Sequence, residues 1–318
     1  ISSPLTWGFP SPSAFTGFVH ALHRQLHAEL DLELDGVGIV CHDFEPQASS
    51  PSGKGTRVFH LTRNPITKDE KTASFVEEGR THLTVSLLVG VTGAGLYCGT
   101  APETIAERVY QVTSQRRIAG GSILEPTSSL GHRETPKLHL WPGTDEDCRA
   151  LNKRLARSLL PGFALVSREA LLDQHWKSLR ESMPTMTPLD ALLDLSALNM
   201  GPVGDTTGVP EAPPRANASE PAAKVEWVVR RRVGWVVPIP AGYNAISDLY
   251  EAGTVKNARD RTAPFCFVEG IYTAGEWVSP HRVDDLRELL WFHEADPVAG
   301  VYRWTTPYFA SSIDQEGN

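Results

Sequence analysis

Apolar positions change period repeatedly along the chain. Phe15, Phe18, Val19, Leu22, Leu26 and Leu30 recur at three- and four-residue steps, the single stripe of an amphipathic helix. Ser11 or Ser13 is placed to cap that helix, and Pro12 suits its first turn. Runs rich in β-branched residues follow. GVGIVCHDF (36–44), TRVFHL (56–61) and HLTVSLLVG (82–90) predict strands. Thr100 and Glu103 have capping-box spacing ahead of a helix carrying Ile105, Val109 and Val112. RIAGGSIL (117–124) predicts a strand broken by a double glycine.

The middle of the chain returns to helical spacing. Cys148, Leu151, Leu155 and Leu159 mark one helix, stopped near Pro161-Gly162. SREALLDQHWKSLR (167–180) and TPLDALLDLSALN (187–199) predict two more, the second started by Thr187, Pro188 and Asp190. Residues 201–223 are rich in Pro, Gly, Ala, Ser and Thr with no apolar period, and predict a flexible linker. VEWVV, GWVVPIPAGYNAI and FCFVEGIYTAG suggest strands, and RVDDLRELLWFH (282–293) a helix with Val283, Leu286, Leu289, Leu290 and His293 inward. No fixed-period repeat is present. The sum is an α+β protein divided into a first region at 1–144, a helical insertion at 145–200, the linker at 201–223, and a strand-and-loop region at 224–318 that completes the fold.

Charge narrows the function classes. A net charge of −8 argues against an indiscriminate nucleic-acid coat, but the charges are segregated. Residues 46–68 hold Lys54, Arg57, Arg63 and Lys68 with no carboxylate, and residues 148–168 hold Arg149, Lys153, Arg154, Arg157 and Arg168 with none. Arg116 and Arg117 are unopposed within 109–124, Arg230, Arg231 and Arg232 form a further cluster, and acids collect at Asp284, Asp285, Glu288, Glu294 and Asp296. Such segregation permits local phosphate binding on an acidic protein. Cys41, Cys98, Cys148 and Cys266 form no C-x-x-C pair, which fits a reducing cytoplasm. No apolar run approaches the roughly 20 residues of a membrane helix, and no secretory signal opens the chain.

Catalytic and metal signatures are weak. His20, His23 and His27 lie at i, i+3 and i+7 on the first helix, but no fourth ligand is nominated, so no metal or cofactor is expected. Cys41-His42 reads as packing at a strand end. No nucleophile elbow, H-E-x-x-H helix or Walker loop occurs. RNA cleavage needs only a His, Lys or Tyr near a 2′-hydroxyl; His60, His82, Tyr97 and Tyr110 are available, in no diagnostic pattern. Features suited to RNA binding are better represented. Gly120, Gly121 and Ser122 would let backbone N–H groups approach phosphates, with Arg116 and Arg117 just ahead. LTRNP sets Arg63 and Asn64 before a proline, and VKNARDR repeats the mix with Lys256, Asn257, Arg259 and Arg261. Trp7, Phe9, Tyr243 and Trp304 fall in Gly/Pro-rich loops, where aromatics stack bases or anchor the loop.

Taken in order, SPLTWGFPSPSAFTGFVHAL, DGVGIVCH, LTRNP, RIAGGSIL, LLPGFALVSREALL, VPIPAGYNAIS, NARDR, GEWVSPHRV and YRWTTP resemble the second-Csy-subunit family, the Cas-five-like proteins of type I-F CRISPR surveillance complexes. The likeness runs from Ile1 to about Phe309 and fades only in the linker and near 125–147. It implies a ferredoxin-like, RRM-related, RAMP-type fold with a helical insertion, in which 1–144 is the RNA-binding region. It implies a strand ahead of Ile1, so that either the central strand of the ferredoxin-like sheet lies outside this numbering or the fold is completed otherwise. It further implies a non-catalytic subunit that grips the 5′ handle of the CRISPR RNA, pairs with the large subunit, abuts the first repeated backbone subunit, and meets target DNA through the assembled complex. Gly120, Gly121 and Ser122 match the family's glycine loop, and Arg63, Asn64, Asn257 and Arg259 its polar loops. With Trp7, Arg116 and Arg117 these are the expected RNA-binding residues, and Trp277 and Trp304 the expected partner-facing aromatics. The alternative kept beside this reading is a metal-independent repeat-RNA endonuclease of related fold.

Overall fold

The computed structural model describes residues 7–50, 57–60, 66–67, 69–73, 79–125, 135–197, 200–202, 227–229, 234–258 and 260–308. In chain order the elements begin with α1 (Pro12–Leu30), β1 (Glu33–Pro46), β2 (Ala48–Ser49), β3 (Val58–Phe59), β4 (Thr81–Thr92), α2 (Pro102–Ser114), β5 (Arg117–Ile118) and β6 (Gly121–Ser122). Next come α3 (Asp145–Ser158), β7 (Phe163–Ser167), α4 (Glu169–Ser182), α5 (Pro188–Ser196), β8 (Met200–Pro202) and β9 (Trp227–Val229). The last are β10 (Val236–Ala245), β11 (Val268–Val278), β12 (Leu290–Asp296) and β13 (Val301–Thr305). The molecule is thus mixed α/β, with a large antiparallel sheet and, among the described residues, five α-helices.

Seven strands run in the order β12-β13-β10-β11-β7-β1-β4, every pairing antiparallel. β1 organises this sheet. One of its edges pairs with β4 from Glu33 to Pro46, while the other is shared, Val37 and Gly38 going to β12 and Ile39 to Cys41 going to β7. The pairings therefore return to β1 through β12. At that junction the fully buried Trp291 donates its Nε1–H to the Leu165 carbonyl at 2.8 Å. β7, the α4–α5 pair and β10 form a split β-α-β unit, because β11 lies between the two parallel strands.

Alternation along β1 and β7 divides the core in two. Val37, Ile39, Leu165 and Trp291 face α1, packing on Phe15, Phe18, Leu22 and Leu26. Val40, Ala164 and Val166 face the opposite way, toward Ala156 of α3, Leu159 just after it, Leu286 and Leu289. α5 places Leu192 on Val236 and Ala274, a third and smaller cluster. The α1 stripe is buried as its spacing predicts, and Ser11 is the cap, its Oγ accepting from Ser13 N at 3.2 Å. Thr187 and Asp190 form a reciprocal capping box.

Three expectations are corrected. The 145–200 stretch carries helices but also β7, an interior strand of the sheet bonded to β1 and β11. RVDDLRELLWFH is not an α-helix: it makes 3-10 turns at Pro280–Arg282 and Leu286–Leu289, then enters β12, because pairing with β1 and β13 overrides its helical spacing. Thr100 and Glu103 form no capping box, since α2 begins after Ala101 with no side-chain cap. The expected linker at 201–223 falls, apart from Gly201 and Pro202, outside the described residues.

Candidate nucleic-acid interface

The double glycine builds a two-residue β-hairpin. β5 and β6 pair Arg117 with Ser122 and Ile118 with Gly121. The turn residues Ala119 and Gly120 both take positive φ, 50° and 81°, the geometry that a tight right-twisted hairpin requires. A Cβ on Gly120 would meet nothing within 4 Å, and one on Gly121 only the Ile118 carbonyl oxygen at 3.4 Å. Apart from the Ala119 methyl, the tip is therefore backbone, open to space at Gly120. Ile118 and Ile123 anchor it against the α1-side core.

The two arginines ahead of the tip have different duties. The Arg116 guanidinium donates to Gln25 Oε1 of α1. Gln25 in turn donates to Glu29 Oε1 at 2.9 Å, and Glu29 pairs with Arg108 at 2.7 Å. Hydrogen bonds from Gln25 and Arg108 hold the Glu29 carboxyl below its ordinary pKa. Arg116 thus pins the hairpin to α1 and α2. Arg117 is exposed and has no ion-pair partner among the described residues.

The hairpin opens on a groove of about 2930 Å³. β4, the last strand in the sheet order, runs along its floor; α2 and the hairpin form one wall, and residues 135–141 contribute Lys137, His139 and Trp141. Gly79 also lines it, and the Trp7 indole lies so close to Gly79 that any Cβ there would collide with it. Trp7 packs on Phe59 at 4.9 Å and remains 38% exposed. Arg287 sits over the Trp141 ring at 5.3 Å. His82, Tyr97 and Tyr110 line the same groove. The signal for the 135–141 wall, an isolated Lys, His and Trp in a Pro-bounded stretch, carries no period and does not stand out in the sequence.

The other expected residues lie elsewhere. Asn257 is exposed in a left-handed turn, φ 64°, in the excursion between β10 and β11, and does not line the groove. Arg63, Asn64 and Arg259 lie outside the described residues. Trp304 and Trp277 are not the exposed loop aromatics expected. Trp304 belongs to β13, is 6% exposed and packs between Tyr243 and Tyr302, while Trp277 is a half-buried member of β11 against Phe9. Sheet pairing turns both rings into the core. His20, His23 and His27 stack in a row beside Glu33, whose carboxylate is 3.0 Å from His27 Nδ1. Among the described residues no group of three or more His, Cys, Asp or Glu is arranged to hold a metal. His42 is held on both ring nitrogens, by the Pro161 carbonyl at 2.6 Å and Ser86 Oγ at 2.7 Å. Burial, helped by the Asp43 charge, pushes the neighbouring Cys41 thiol up to about 11.

Comparison with known proteins bears on this geometry directly. The family model described as CRISPR-associated protein (Cas_Csy2) matches residues 1–304. The CRISPR-associated protein Csy2 of Pseudomonas aeruginosa (strain UCBPP-PA14) is 55% identical over 309 residues, covering 97% of this chain and 91% of that protein. The chain belongs to the Csy2 family of CRISPR-associated proteins. This is the type I-F family that the sequence motifs resemble. The Csy2 match takes in the hairpin, the groove, all of α3 and the sheet through Trp304. No helix among the described residues is long and apolar enough to cross a membrane.

Proposed function

We propose that this Csy2-family chain is a non-catalytic, RNA-binding subunit that holds the 5′ handle of a CRISPR RNA at the hairpin beside the groove. The observation that carries the reading is the hairpin: a tight Ala119-Gly120 turn running into Gly121 and Ser122, preceded by Arg117, whose guanidinium has no ion-pair partner among the described residues. Glycine backbone lets a phosphate approach N–H groups closely, and arginine forks onto its oxygens. Trp7, half exposed at the Gly79 end of the groove, offers a face for a base. Arg116 acts by fixing the hairpin rather than by touching phosphate. Asn257, Arg63, Asn64 and Arg259 belong to the same proposal as base-edge and phosphate contacts. The split β-α-β unit supports the ferredoxin-like, RRM-related reading of the fold, the architecture that presents RNA on a sheet.

Within the assembly the chain pairs with the large subunit, abuts the first repeated backbone subunit and reaches target DNA through them, in the cytoplasm. The exposed Trp235–Phe163 pair, with rings 5.8 Å apart, is the apolar surface that favours a protein partner. Crosslinking with a 4-thiouridine-substituted handle RNA tests the RNA site. Crosslinked peptides should cover 116–122 and Trp7, and a map that misses the hairpin contradicts the proposal. A second reading, repeat-RNA cleavage, is favoured by His82, Tyr97 and Tyr110 sharing one groove. Incubation with repeat RNA in chelator decides it: discrete metal-independent products would displace the binding-subunit reading.

A further inference from the structure

α3 presents a second cationic surface that the handle site does not use. Its inner face is fixed by Leu151, Asn152 and Ala156, all buried, with Asn152 Oδ1 accepting from Leu286 N at 3.2 Å. That anchoring turns Arg149, Lys153, Arg154 and Arg157 outward, and each remains at least partly open to solvent. Four-residue steps rise about 6 Å on a helix, so the stripe Arg149, Lys153, Arg157 extends roughly 12 Å along one face. Lys137 and His139 approach from the adjoining segment. His139 has its pKa lowered by burial and then by the Arg154 and Lys137 charges, so these groups share one positive field.

Four arginines elsewhere are neutralised, while others such as Arg24 and Arg117 stand singly or in pairs rather than as a helical row. Arg108 pairs with Glu29, Arg168 with Glu276, Arg287 with Asp285, and Arg303 with Glu294. None of the four α3 cations has an ion-pair partner among the described residues. The helix dipole accounts for Asp145, Glu146 and Asp147 in the first turn and Arg157 in the last. It does not account for Lys153 and Arg154 in the interior of the helix, where the dipole has little effect. Concentrated, mutually repelling cations on a chain of net charge −8 are relieved by a polyanion.

We propose that the outer face of α3, through Arg149, Lys153, Arg154 and Arg157 with Lys137 beside them, binds a nucleic-acid phosphodiester backbone without reading its sequence. This surface goes beyond the handle site and does not depend on it, since it meets charge alone.

The test is a salt titration of the full chain with two fluorescent probes, a duplex DNA of arbitrary sequence and the 5′ handle RNA. The variant K153Q/R154Q/R157Q is compared with wild type and with R24Q/K177Q/R180Q, which removes as much charge from other surfaces. For duplex DNA the slope of log affinity against log salt should fall by roughly 0.9 for each phosphate no longer neutralised, and for single-stranded RNA by roughly 0.7. A fall with DNA alone assigns the face to duplex DNA; a fall with RNA alone extends the RNA path along α3. Unchanged slopes for both probes, an equal fall in the control triple, or a wild-type chain that binds neither probe overturns the inference. R149Q/R157Q removes two cations from the same face and repeats the test should the triple variant fold poorly. Arg117→Ala should leave the duplex slope unchanged, which separates a failure here from a failure of the handle site.

Discussion

The two edges of β1 live under different constraints. On one, Val37 to Cys41 meet β12 and β7 in succession, and the buried Trp291 ties those two strands together. On the other, β4 pairs along the whole of β1 but ends the sheet order, and its residues are at most half buried where they line the groove. The closed edge uses its side chains for packing. The open edge keeps backbone, an arginine at Arg117 without an ion-pair partner among the described residues, and half-exposed rings such as Trp7 and Trp141 beside a wide groove. On the proposed reading, stability and recognition are drawn from opposite sides of one strand.

The largest expected effect lies on the closed edge. Trp291→Ala removes a fully buried ring and leaves the Leu165 carbonyl without its donor, and should cost about 3–5 kcal/mol in chemical denaturation. A loss below about 1 kcal/mol would mean that the junction does not hold the sheet together. Thr187→Ala, on α5 away from both edges, deletes the capping hydroxyl and should cost about 1 kcal/mol. This loss should depend on pH. The Thr187 hydroxyl and then its backbone N–H hold the Asp190 carboxyl below the ordinary carboxylate value. A group depressed in the folded state stabilises above its unfolded pKa and stops doing so as pH falls through the folded one. The difference in melting temperature between wild type and Thr187→Ala should therefore narrow in acid; a gap that stays constant or widens argues against the capping box.

Much of the closed edge was legible in the sequence, because burial leaves a period. The α1 stripe and the β1 run appear where spacing puts them, as does, away from both edges, the Thr187-Pro188-Asp190 start. β7 was not legible: FALVS is a short, continuous apolar run, largely buried and wedged between helices, and its partners β1 and β11 are remote in sequence. β12 misled for the reverse reason. Val283, Leu286, Leu289 and Leu290 fit a helical period locally, while pairing with β1 and β13 decides the outcome. At the candidate site the glycines marked the hairpin. Sequence could not separate Arg116 from Arg117, because the difference is made by Gln25, 91 residues away. Trp304 failed as a surface residue because a Pro-flanked aromatic reads as a loop until its strand partners are known.

Smaller effects are expected on the open edge, and they should appear in binding rather than folding. A Cβ at Gly121 meets only the Ile118 carbonyl oxygen at 3.4 Å, so the fold should tolerate Gly121→Val while the added bulk weakens handle binding. Unaltered affinity would show that the strand does not approach the hairpin backbone. Arg117→Ala should change stability by less than about 0.5 kcal/mol, as for an exposed side chain without an ion-pair partner among the described residues.

The most direct measurement is the affinity of labelled 5′ handle RNA for the full chain across a salt series, wild type against Arg117→Ala. The account predicts weaker binding by the variant and a slope of log affinity against log salt lower by roughly 0.7, the change expected when one phosphate is no longer neutralised. The same affinity and slope in both proteins would contradict the placement of the RNA at this hairpin.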